Sequence, residues 1–98
     1  MEIIVETYVP NGEPSSARLR VRPLPGQGVD TTLRVECSRA MRYEHPAGSL
    51  FRLVVKPIYR KGTPLLYAKP TEPFECVSAE QARRFIMTMY GGGGFAPA

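Results

Sequence analysis

The chain has 98 residues, with thirteen Lys+Arg against nine Asp+Glu for a net charge of +4 and an isoelectric point near 9.4. That length fits one domain and excludes a two-domain enzyme or a multipass membrane protein. Twenty-three Val, Ile, Leu and Phe residues place the chain above the disordered range, and ten Pro with nine Gly stay below the low-complexity range, so coiled coil and collagen are excluded too.

Residues 2–9, EIIVETYV, alternate as a strand, with Ile3, Val5, Thr7 and Val9 on one face and Glu2, Ile4, Glu6 and Tyr8 on the other. The turn formers of 10–16 end it. Residues 17–22, ARLRVR, place Ala17, Leu19 and Val21 opposite Arg18, Arg20 and Arg22. This segment reads as the hairpin partner of the first strand. PLPGQG at 23–28 breaks the chain, and 31–38 reads as a third strand with Leu33, Val35 and Cys37 inward. Residues 39–49 fit a short helical turn or a wide loop, since His45-Pro46 disfavours helix at that step.

Residues 50–60 read as one strand, with Phe51, Leu53, Val55, Pro57 and Tyr59 on a shared face. Pro57 cannot donate to a ladder, so this strand lies at an edge or is bulged there. Lys61-Gly62-Thr63 turns the chain into a hairpin partner at 64–69, and Phe74 to Val77 forms a short strand. Ser78 with Gln81 three residues on predicts a capping box. Ala82, Phe85, Ile86, Met89 and Tyr90 then follow a core-facing helical stripe, closed by Gly91.

Five or six short strands followed by one helix define an α+β class. Frequent Pro/Gly turns predict mostly antiparallel strands in a strongly curved sheet or partly open small barrel, packed by the C-terminal amphipathic helix. Residues 1–90 are expected to form the domain and 91–98 a flexible Gly-rich tail, from which Phe95 could anchor a partner. No apolar run approaches the roughly 18–20 residues of a membrane span. With no basic leader segment, the expected compartment is the cytoplasm, without membrane partners.

The charge is unevenly placed. Residues 1–14 carry −3, residues 15–61 carry +7, and residues 62–98 balance. Ten of the thirteen basic residues are Arg, whose fork suits phosphate and carboxylate. Arg18, Arg20, Arg22, Arg34, Arg52 and Lys56 are the candidate binding set. On neighbouring strands they would form a basic face for nucleic acid or an acidic protein surface. Tyr8, Tyr43, Tyr59 and Tyr67 lie near arginines or lysines and could stack on bases. The competing reading neutralises the row internally, with Glu6 opposite Arg20 and Glu2 near Arg22. The chain would then be a structural or protein-interaction accessory, as in a phage or mobile element, and a candidate homodimer through exposed strand edges.

Catalysis finds little support. His45, Cys37 and Cys76 are the only reactive set, no elbow or paired-carboxylate signature is present, and both cysteines are expected inward and reduced. Two cysteines and one histidine match no zinc pattern. The glycine runs lack the helix N-terminus of a phosphate loop. A non-enzymatic binding module without metal or cofactor is therefore expected.

Overall fold

The computed structural model describes residues 1–10 and 19–91. In chain order its elements are β1 (Glu2–Tyr8), β2 (Arg20–Pro23), β3 (Val35–Glu36), α1 (Arg39–Tyr43), β4 (Leu50–Val54), β5 (Lys56–Arg60), β6 (Thr63–Tyr67), β7 (Phe74–Val77) and α2 (Ala79–Tyr90). The fold is α+β, with seven strands in two mostly antiparallel sheets and a C-terminal helix. One sheet has the order β2-β1-β4-β7 and the other β3-β6-β5. The expected single curved sheet is thus two separate sheets among the described residues, which do not close into a barrel.

The extra strand comes from residues 50–60. β4 pairs antiparallel with β1 and β7, whereas β5 pairs with β6 in the other sheet. Phe51, Leu53 and Val55 are buried, but Pro57 and Tyr59, expected on the same face, are exposed. Changing sheets at Val55 interrupts the two-residue alternation that the segment otherwise keeps. Pro57 does sit on an edge strand, as its missing donor requires.

Two further expectations shift. The segment 31–38 contributes only Val35 and Glu36 to a strand, paired parallel to β6. Its first half is a turn in which the backbone N–H and hydroxyl of Thr32 both donate to Asp30 Oδ1, at 2.8 and 2.6 Å. These bonds hold the Asp30 carboxyl below its usual pKa. The ambiguous 39–49 contains α1, N-capped by Ser38, and a loop. Thr7 ties that loop down: its hydroxyl donates to Pro46 O, and its carbonyl accepts from the Gly48 N–H.

The core between the sheets holds Ile3, Val5, Val21, Val35, Met41, Phe51, Leu53, Val55, Leu66 and Ala68. Burial of such side chains stabilises by roughly 1.5–3 kcal/mol for each large one. His45 extends this core, stacking edge-on against Phe51 at 4.9 Å. Sheet-on-sheet packing leaves the opposite face of β1 for α2. There Ile4, Ala82 and Ile86 are buried together, flanked by Leu24, Leu50, Val77 and Phe85. The helix therefore covers the nominally polar face of the first sheet.

The α2 cap forms as its sequence specifies. Ser78 Oγ accepts from the Gln81 N–H at 3.1 Å, and Gln81 Oε1 accepts from the Ser78 N–H at 2.8 Å. Met89 leaves the expected core stripe and is 55% exposed. Tyr90 reaches back to donate its hydroxyl to Glu2 O. Gly91 ends the helix at φ 77°.

One buried polar side chain completes the first sheet. Gln27 is fully buried. Its Oε1 accepts from the Ile4 N–H at 2.6 Å, and its Nε2 donates to Ile4 O at 2.8 Å and to Leu24 O at 2.9 Å. Pro23 ends β2 just where β1 still needs a neighbour, and the Gln27 amide stands in for the missing strand.

Candidate functional site

The six candidate basic residues do not form one surface. Arg18 lies outside the described residues. Arg20 sits opposite Tyr8, and Arg22 sits opposite Glu6. Glu6 thus faces Arg22, two residues from the Arg20 partner expected of it. Arg22 Nε donates to Glu6 Oε1 at 2.8 Å, and its guanidinium lies 4.1 Å from the Tyr8 ring centre. Glu2, expected near Arg22, instead holds Arg52 at 3.2 Å. Arg52 also lies 3.6 Å from Glu75 and over the Phe85 ring. These residues occupy the α2 side of the first sheet.

Arg34 and Lys56 belong to the second sheet, on the side turned away from the first. Val35 points into the core, so its neighbour Glu36 points outward. Glu36 accepts from Arg34 at 3.0 Å and from Arg60 at 2.7 Å. Lys56 is exposed and opposite Tyr67, whose other neighbour is Glu36. The whole thickness of the domain therefore separates Arg22 and Arg52 from Arg34 and Lys56. Glu36 and Glu75 were not singled out in the sequence as partners of these arginines: Arg60–Glu36 and Arg52–Glu75 join strands distant in the chain, whereas Arg34–Glu36, two residues apart on one strand face, was a local signal that went unused.

A groove of about 450 Å3 runs between α2 and the β7 side of the first sheet. Ile4, Val77, Phe85 and Met89 supply its apolar lining, and Glu2, Arg52, Glu75, Gln81, Arg84 and Thr88 its polar one. Arg84 is engaged by Glu80 one turn earlier, at 3.1 Å. The exposure of Met89, anomalous for a core position, follows from its place on this groove.

The thiols are free. Cys37 packs against the core, and burial pushes its thiol up to about 11. Cys76 was expected inward, yet it is exposed because β7 is an edge strand. Among the described residues, no cluster of His, Cys, Asp and Glu could hold a metal ion, and no helix is long and apolar enough to cross a membrane. No protein-family model, curated protein or solved structure matches the chain.

Proposed function

We propose that this chain is a small non-enzymatic module that binds other proteins, with its arginine-rich strands serving to hold the fold. The observation that carries this reading is the pairing of Arg22, Arg34 and Arg52, each held by a carboxylate of its own or a neighbouring strand segment. A guanidinium engaged in this way must exchange one anion for another to bind phosphate, and it gains little net charge contrast in doing so. Like charges on neighbouring strands are tolerated here because Glu2, Glu6, Glu36 and Glu75 lie among them.

The polyanion reading keeps one specific foothold. Arg34 and Arg60 share the single carboxylate of Glu36, and Lys56 is exposed on the same side. That patch carries a surplus of two positive charges. The test is a titration with duplex and single-stranded DNA at about 50 and 200 mM salt, since log K falls with log salt in proportion to the phosphates neutralised. Internal pairing predicts weak binding with a log–log slope shallower than about −2. Tight binding with a slope near −5, the value for six engaged phosphates on duplex DNA, refutes the protein-interaction reading.

A further inference from the structure

The two sheets have four outer edges, and their hydrogen-bond phase shows which of them is open. Met1 and Val55 exchange both backbone bonds at 2.8 Å, and the Thr7 N–H donates to Ser49 O at 3.0 Å. Antiparallel bonding alternates, so β4 turns Leu53 and Phe51 toward β1 and turns Leu50 and Arg52 toward β7. Their β7 partners are Val77 and Glu75. Phe74 and Cys76 therefore point their N–H and C=O groups outward, and no backbone group of the described residues bonds them.

The other three edges are blunted. The Leu24 N–H bonds to Ile4 O, which sets the phase of β2 and turns Pro23 outward, without a donor. The Leu66 N–H bonds to Arg34 O, which sets the phase of β6 and turns Pro57 of β5 outward. β3 is two residues long. Proline and short length are the usual protections of an edge, and within its four residues β7 has no proline and, among the described residues, no covering strand.

We propose that β7 takes up an extended peptide as an added strand, with a lysine or arginine of that peptide opposite Glu75. This rests on the protein-interaction reading above and names its site. A strand added antiparallel to Phe74 and Cys76 places one residue directly across from Glu75, at the close, non-bonded spacing, with its side chain on the α2 face. That side chain enters the groove. Its stem meets Val77, Phe85 and Met89, and its head meets an acidic excess. Glu2 and Glu75 share one guanidinium, Arg52, and Arg84 is already neutralised by Glu80. A long apolar stem ending in a cation satisfies both parts.

A second copy of the chain fits this edge poorly. Two registers allowed by the phase overlap three of the four β7 residues. Pairing Phe74 with Cys76 sets two Glu75 carboxylates opposite each other, which is unfavourable, and pairing Cys76 with Cys76 sets Glu75 opposite Val77, so neither brings a cation to Glu75. A peptide of a different protein that carries a cation opposite Glu75 answers the acidic excess that a second β7 leaves unmet.

The test uses the whole chain and capped heptapeptides of alternating Thr and Val, with Lys or Glu at the centre, and a third with Lys at the centre and Pro on both sides of it, where the bonded positions fall. Amide exchange and chemical shifts are followed by NMR. In the free protein the amides of Phe74 and Cys76 exchange quickly, while those of Glu75 and Val77 are protected. The Lys-centred peptide should slow exchange at Phe74 and Cys76, bind about three- to tenfold tighter than the Glu-centred one, and outcompete the Pro-flanked one. Glu75→Lys should reverse the charge preference. Cys76→Pro, which removes only an outward-facing N–H, should abolish binding while leaving the β4 pairing intact. Protection at Phe74 and Cys76 that rises with protein concentration alone overturns the proposal in favour of a second copy. Peptide-induced shifts confined to other edges overturn this site but leave the interaction reading standing. No peptide binding together with steeply salt-dependent DNA binding removes both.

Discussion

Replacing Gln27 should cost more stability than any exposed ion pair in the molecule. Its amide makes three hydrogen bonds with the backbone of Ile4 and Leu24, and both Gln27 and Ile4 are fully buried. In Gln27→Leu the volume is nearly kept, so the loss is chiefly polar. A net intramolecular hydrogen bond contributes about 1 kcal/mol, and a buried donor left unpaired costs about 1–3 kcal/mol. Ile4 loses its only N–H acceptor, while its carbonyl keeps the Leu24 N–H. The expected destabilisation is about 2–4 kcal/mol, a Tm drop of roughly 10–20 °C for a chain this size. Gln27→Glu separates geometry from volume. Its second oxygen would face the carbonyls of Ile4 and Leu24, which only a protonated carboxyl can satisfy. Its folded pKa is therefore raised, so its stability is retained below the ordinary glutamate value of about 4.3 and lost as pH rises through the folded value. Urea denaturation followed by circular dichroism at pH 4 and pH 7 reads both effects. A Gln27→Leu protein within about 0.5 kcal/mol of the parent, or a Gln27→Glu protein with the same deficit at both pH values, refutes the account of Gln27 as a surrogate strand.

Other expectations follow from single features. Ser78→Ala removes one arm of the α2 capping box and should destabilise by about 1 kcal/mol in the same denaturation assay. Lys61 holds φ 52° beside Gly62 at φ 81° in the two-residue β5–β6 turn, so Lys61→Asn should stabilise by about 0.5–1 kcal/mol. Cys76, exposed, should react with a thiol reagent at once and Cys37, half-buried against the core, far more slowly. The Cys37 thiol is raised from 9.0 to about 11 by burial, so its contribution is whole below pH 9 and lost between 9 and 11. The parent should lose stability in that window relative to Cys37→Ala, and parallel curves would count against the buried thiol. Glu36→Gln should strengthen DNA binding severalfold at low salt by releasing Arg34 and Arg60, while changing stability by less than about 1 kcal/mol.

Much of the local structure was legible in the chain. β1, β7, the capping box and the start of α2 follow from alternation and cap chemistry that act within a few residues. Pro57 marked its strand as an edge for a reason confined to its own ring. The candidate site was legible only in part, because the arginines could be placed on strand faces but, apart from Glu36 two residues beyond Arg34, their partners come from other strands. Arg22 finds Glu6 rather than Glu2, since a two-residue change of register keeps every face and alters every pair. Arg34 and Arg60, far apart in sequence, converge on Glu36 because β3 and β5 flank the same strand. Gln27 read as part of a turn, and nothing local marks its amide as a strand's substitute.

The net charge of +4 and its concentration in the middle of the chain are properties of the sequence, and so are the periods of two and 3.6 that make strands and a helix. Tertiary structure decided which faces those elements bury. The alternating apolar face of β1 met the second sheet, so α2 was left to cover the charged face through Ile4. That choice put carboxylates beside arginines, opened a groove along β7 and, among the described residues, left the β7 edge without the proline that blunts β2 and β5. Its physical reason is that each strand has two faces and each sheet two edges, and only the competition among all the apolar surfaces of the chain settles which of them water keeps.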